Sequence, residues 1–224
     1  MPESHSPFSK PCVIVVSGSV GSGKSTISTA LSKILGDAPI LIFDHYGQYV
    51  EWPEDMEGWI NAGADPTHIR VPKLREDLHS LLEGRAISDP QNGNVLSPSR
   101  YILLEEPSGR ERQEIKEYID LVVFIDVPQD VCVTRMIARV MDMNVWNSKG
   151  SFQGETREDI VRQLEAVASW ITQYQQARPM YIQVSRIVKV NADIVVDGLK
   201  DVNGITTDIM SLMKDKQGKL DPPG

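Results

Sequence analysis

The chain has 224 residues, a formal net charge of −8 and two cysteines. That length suits one α/β domain with a sizeable core, and the acidic balance excludes a general nucleic-acid binder, which needs a basic face. No apolar stretch approaches the roughly 18 residues of a membrane span, and the two cysteines, Cys12 and Cys132, lie in apolar contexts that suggest no disulfide framework. Residues 1–11 are polar and lack the basic-then-apolar pattern of a signal peptide. A flexible N-terminus and a cytoplasmic setting are the expectations, with neither nucleic acid nor membrane as partner.

The first element is an apolar, β-branched run at 12–16, which reads as a buried strand. Gly18-Ser19-Val20-Gly21-Ser22-Gly23-Lys24-Ser25-Thr26 follows and fits G-x-x-x-x-G-K-[ST], the phosphate-binding P-loop. Ile27, Ala30, Leu31, Ile34 and Leu35 then recur at helical spacing. The strand–loop–helix setting is what the motif needs: glycines let successive N–H groups converge on a phosphate, with a helix N-terminus behind them. Lys24 can reach the β- and γ-phosphates of ATP, and Ser25 is the expected Mg²⁺ ligand. A dinucleotide-binding G-x-G-x-x-G counted from Gly21 fails, because its last position is Thr26. The motif does not separate ATP from GTP.

A second strand at 40–43 ends in Asp44-His45-Tyr46, and residues 47–72 read as a long functional loop, with room for a turn of helix, carrying Tyr49, Trp52 and Trp59. Pro72 opens a helix with Leu74, Leu78, Leu81 and Leu82 on one face, stopped by Gly84. Residues 85–100 are rich in turn formers, with no aromatic residue and no histidine. A third strand at 101–104 ends in Glu105-Glu106, and a fourth at 121–125 ends in Asp126. Pro128 starts a helix with Val133, Met136, Ile137 and Val140 inward and Arg135 and Arg139 on another face. Polar residues at 142–156 read as a lid. Thr156 and Asp159 can then cap a long helix patterned by Ile160, Leu164, Val167, Ala168 and Ile171. A fifth strand at 194–196 and a last helix marked by Ile205, Ile209, Leu212 and Met213 close the domain at 213, leaving 214–224 as a disordered tail. The alternation predicts a P-loop NTPase fold: a five-stranded parallel sheet with helices on both faces and a lid.

Ligands of such sheets gather at the carboxyl ends of strands. That rule makes candidates of Asp44, of Glu105 or Glu106, and of Asp126. Asp44 reads either as the base that takes a proton from an attacking hydroxyl or as a cap for the following loop. Glu105 is favoured over Glu106 as the Mg²⁺-facing carboxylate, because alternation points the two in opposite directions. Arg135 and Arg139, at i and i+4, either clamp phosphate charge or form a solvated basic face. Tyr49, Trp52 and Trp59 offer stacking surfaces for an acceptor, with a buried anchor the other reading of the tryptophans. His45, His68 and His79 lack metal-ligand spacing and read as structural.

With these residues in view, the chain resembles the uridine kinases, with nicotinamide riboside kinases and related P-loop metabolite kinases near by. The likeness spans about 13–198 and includes the P-loop, Asp44-His45-Tyr46 and the run from Leu121 to Pro128. It also includes Gln173-Tyr174-Gln175-Gln176-Ala177-Arg178-Pro179-Met180 and Ala192-Asp193-Ile194-Val195-Val196. The resemblance implies ATP-dependent transfer to a hydroxyl, with Asp44 as base, Arg135 and Arg139 acting from the lid side, and Tyr46, Gln173 and Arg178 toward the acceptor. Departures accompany it. Met136 and Val140 stand where the family has another Arg and an Asp. Glu105-Glu106-Pro107 replaces its Glu-Gly-Ile, and the hairpin that carries aromatic and histidine contacts to a nucleoside is expected to be missing. Uridine and cytidine are therefore expected to be poor acceptors. A nucleotide-driven switch or assembly factor and a nucleoside-monophosphate kinase stay open as alternatives. A homo-oligomer is compatible with the sequence, which fixes no oligomeric state.

Overall fold

The computed structural model describes residues 11–141 and 156–220, without the side chains of 215–220. Of the span read as a lid, only Thr156 lies within the described residues. The central strand is β1 (Cys12–Gly18), with β2 (Ile40–Ile42), β5 (Tyr101–Glu105), β6 (Leu121–Asp126) and β7 (Ile194–Asp197) around it in the order β2-β5-β1-β6-β7. All pairings in this sheet are parallel. The expected five-stranded architecture is borne out.

Strand alternation divides the core in two. Val13 and Val15, with Ile102, Leu104, Val122 and Phe124, face Leu74, Leu78 and Leu81 of α3 (Pro72–Leu82) and Val184 and Val188 of α5 (Arg157–Asn191). Ile14 and Val16, with Leu103, Val123 and Ile125, face Ile27 and Leu31 of α1 (Lys24–Ile34) and Ile205, Ile209 and Met213 of α6 (Val202–Leu220). Continuous apolar runs rather than alternating ones follow from burial on both faces. Truncating a fully buried leucine such as Leu78 in this packing costs about 2–5 kcal/mol.

Several elements depart from expectation. Between α3 and β5 the stretch read as turn-rich forms an antiparallel hairpin, β3 (Ile87–Ser88) with β4 (Val95–Leu96), which carries none of the aromatic or histidine contacts expected to be missing. Asp89 and Asn94 close its turn, and Asn92-Gly93 supplies the left-handed residue, with φ +73° at Gly93. Residues 47–72 hold more than the single turn of helix expected in them. They hold the end of a 3-10 helix at Phe43–Tyr49, then α2 (Met56–Asn61), capped by Asp55, and a 3-10 turn at Pro66–His68.

The Thr156–Asp159 capping box forms as predicted. The helix it opens runs through Pro179 to Asn191, with its buried residues, Val184 and Val188, in the second half. Leu164 and Ile171, in its first half, are exposed. The last helix runs on to Leu220 rather than ending at 213, since nothing between Lys214 and Asp221-Pro222 stops it except the weak breaker Gly218. No described helix is long and apolar enough to cross a membrane.

Candidate active site

The P-loop bends where β1 meets α1. Gly21 sits at φ +84°, and a Cβ there would collide with the carbonyl oxygen of Cys132, so both conformation and space demand glycine. Gly23, at φ +96°, caps α1 with no side-chain bond, which leaves the first-turn N–H groups for an incoming anion. Lys24 turns back, its Nζ donating to the Gly18 and Ser19 carbonyls at 3.1 Å each. Burial lowers the Lys24 pKa, and the carboxylates of Glu105 and Asp44 partly offset that effect.

Ser25 Oγ donates to Glu105 Oε1 at 2.8 Å, while Glu105 Oε2 is buried without a hydrogen-bond partner among the described residues. A buried, unpartnered carboxylate oxygen beside a hydroxyl suits a hard cation. The next residue points the other way. Glu106 is fully buried and accepts from Arg112 Nε at 2.8 Å, Arg112 Nη2 at 2.9 Å and the Ser108 N–H at 2.8 Å. Glu105 thus faces the P-loop, and Glu106 belongs to the scaffold.

Two adjoining hollows meet here. A cleft of about 670 Å³ is lined by the P-loop, Ile42, Asp44, His45, Gln91, Glu105, Arg135, Met136 and Arg139. A smaller cavity of about 280 Å³ continues past Phe43, Trp52, Ile69, Met180, Tyr181 and Val184. Val20, Lys24, Asp44 and Glu105 line both. Asp44 comes to this junction because β2 ends at Ile42 and the chain coils at once into the 3-10 helix. Arg135 reaches the Ser22 carbonyl at 3.4 Å and that of Gly198 at 3.3 Å from α4 (Gln129–Val140), with Arg139 one turn on.

Other predicted residues are placed elsewhere. Tyr46 is buried, its hydroxyl donating to Asp77 at 3.1 Å, and burial with the nearby Asp77 carboxylate raises its pKa. Tyr49 is exposed and lines neither hollow. Trp59 packs with Ala64 and Ile69 and donates its indole N–H to the Asp65 carbonyl at 2.9 Å, so it anchors its segment instead of facing an acceptor. Gln173 bonds Ser169 one turn back, Arg178 is exposed on α5, and neither lines the hollows. Asp126 pairs with Lys189 at 2.7 Å away from them. Of the acceptor-side candidates, Asp44 and Trp52 are brought to the smaller cavity.

Sequence reasoning missed most of that cavity's wall. Met180, Tyr181, Val184 and Ser185 come from the far half of α5, at i, i+1, i+4 and i+5, a helical stripe that signals a face without saying what it covers. Ser185 meets Ser19 at 2.9 Å and ties the helix to the P-loop. Burial and the Asp44 charge raise the Tyr181 pKa and keep its phenol neutral. In the same wall the Arg112 guanidinium lies 4.7 Å from the Phe43 ring centroid and donates to the Ile69 carbonyl at 2.8 Å.

No family model matches the chain. It is 26% identical over 199 residues to a uridine kinase of Halalkalibacterium halodurans, covering 84% of this chain and 86% of that protein. A uridine kinase of Vibrio campbellii is 27% identical over 202 residues, covering 83% and 86%. Among solved structures, a gluconokinase from Sinorhizobium meliloti aligns with TM-score 0.47 at 16% identity, over 95% of this chain and 97% of that one. The likeness to uridine kinases read from the sequence is borne out by these relatives.

Proposed function

We propose that the chain is an ATP-dependent phosphotransferase that moves the γ-phosphoryl group to a hydroxyl of a nucleoside-like or other small metabolite. The observation that carries this is the position of Asp44, in the wall shared by the P-loop cleft and the smaller cavity. A hydrolytic switch needs no second cavity opening onto the γ-phosphate. A transferase needs one, with an acceptor for a proton at the junction. The relatives named uridine kinase support the same reaction class.

In this reading the triphosphate lies in the larger cleft. Lys24 exchanges the Gly18 and Ser19 carbonyls for β- and γ-phosphate oxygens, and the free N–H groups at Gly23 and the start of α1 cradle the anion. Ser25 and Glu105 would hold Mg²⁺, which when bound neutralises charge on the β- and γ-oxygens. The acceptor body rests against Phe43, Trp52 and Met180. Its hydroxyl hydrogen-bonds Asp44, which takes the proton as the new O–P bond forms and the bridging bond to ADP breaks. Arg135 and Arg139 add charge stabilisation along the cleft. A cytoplasmic setting fits this chemistry.

An ADP-release screen over nucleosides, sugars, amino acids and simple alcohols tests the proposal. Turnover that rises only when one of these acceptors is added is the expected result. Turnover that is the same without any acceptor refutes it.

A further inference from the structure

The unexpected β3–β4 hairpin reaches the nucleotide cleft through its turn. Asp89, the first turn residue, is buried, and its Oδ1 accepts the N–H groups of Gln91 at 2.9 Å and Asn92 at 3.2 Å. Its Oδ2 lies 2.7 Å from Nδ1 of His45. Burial works to raise the Asp89 pKa, but the bonds from His45, Gln91 and Asn92 prevail and hold the carboxyl below its ordinary range. An ionised carboxylate only accepts, so Nδ1 carries the proton and the ring is fixed with Nε2 on its other edge. His45 lines the larger cleft beside Lys24, Ser25, Arg135 and Arg139 and does not line the smaller cavity. Gln91, from the same turn, lines the cleft as well.

We infer that His45 is a phosphate-contacting residue, presenting Nε2–H to an oxygen of the terminal phosphoryl group of the bound triphosphate, with Asp89 as its positioning residue. The inference rests on the phosphotransferase reading. The terminal phosphate is the partner because Asp44, the preceding residue, stands at the junction where that group must lie to be transferred. A phosphate oxygen accepts, as the Asp89 carboxylate does, so the ring would stand between two acceptors, one at each nitrogen. The other charged groups around the cleft are Asp44 on the same 3-10 helix, Lys24 of the P-loop, Glu105 of β5, and Arg135 and Arg139 of α4.

Calorimetric titration of the full chain with Mg²⁺–ADP and with a Mg²⁺-bound non-hydrolysable ATP analogue tests this without any acceptor. In His45→Gln the analogue should bind roughly 10- to 100-fold more weakly, the loss of one hydrogen bond to a charged group. ADP affinity should stay within about twofold, because ADP lacks the group contacted. Asp89→Asn should shift the same ratio in the same direction, and it serves as the test if His45→Gln does not fold. Equal weakening of both nucleotides, or unchanged analogue binding in the folded variants, overturns the inference. A wild-type chain that binds neither nucleotide overturns the phosphotransferase reading itself.

Discussion

Removing the Arg112 guanidinium should destabilise the fold and then selectively loosen the smaller cavity. Arg112 and Glu106 are essentially inaccessible to solvent, and two of the three bonds to the Glu106 carboxylate come from Arg112. Arg112→Met keeps the stem volume but leaves that carboxylate buried with the Ser108 N–H alone. Breaking a buried pair from one side costs about 3–5 kcal/mol. At about 2–4 °C per kcal/mol for a domain of this size, Tm should fall by roughly 6–20 °C. Replacing both partners, with Glu106→Leu and Arg112→Met together, removes both charges. It leaves the Ser108 N–H, the Ser108 hydroxyl and the Ile69 C=O without these partners, at about 1–3 kcal/mol each. The double variant should therefore be less damaged than the two singles summed, by about 1 kcal/mol or more. Thermal and urea melts of the four proteins measure this. Additive single effects, or an Arg112→Met shift below about 6 °C, refute the argument. Because Arg112 also holds the Ile69 carbonyl and lies against Phe43, the acceptor KM should rise in Arg112→Met while the KM for ATP holds.

Lys24→Ala should abolish turnover in a chain that still melts cooperatively, since phosphoryl transfer is nearly all positioning and charge stabilisation; unchanged turnover in the folded variant would sink the whole reading. Asp44→Asn should keep nucleotide binding by calorimetry and lower kcat by about 10²- to 10⁴-fold, the range for a lost positioned base, and a fall below about tenfold would leave Asp44 a mere cap. Uridine and cytidine should be poor acceptors, with kcat/KM below about 10⁴ M⁻¹s⁻¹ in steady-state assays. The hairpin that is present carries no aromatic residue and no histidine to match a pyrimidine edge, and unmatched polar groups discriminate steeply.

The parts of the site that were legible in the sequence are those fixed by local rules. The P-loop needs glycines at set positions. The apolar runs at 12–16, 101–104 and 121–125 announce strands, and a strand's end announces where a ligand gathers. Asp44 followed from that alone. What stayed hidden depends on partners far along the chain. Tyr46 and Trp59 look alike as aromatic candidates until Asp77 and the Asp65 carbonyl claim them. His45 had no metal-ligand spacing and read as structural, because its partner Asp89 lies in a turn that resembled plain loop. Leu164 and Ile171 show the converse: helical spacing reports an apolar face, and only the tertiary arrangement decides whether anything covers it.

Glu105 and Glu106 bring both kinds of information together at one place. Alternation predicts that two consecutive carboxylates at a strand end must part, one to each side of the sheet. One side is the P-loop, where Ser25 waits at 2.8 Å, and that assignment needed no more than the strand boundary. The other side is the α3–α5 layer, where a bare carboxylate is intolerable and some cation has to meet it. The requirement was therefore readable from the sequence, but its solution was not. Arg112 sits just past an irregular 3-10 turn at Gly109–Glu111, with no periodicity to mark it as buried. The Arg112 that neutralises Glu106 also grips the Ile69 carbonyl and lies against Phe43, so the side of β5 turned away from the P-loop shapes the wall of the smaller cavity. If that cavity holds the acceptor, as proposed, the choice of acceptor is tied to scaffold residues that no phosphate-binding motif contains.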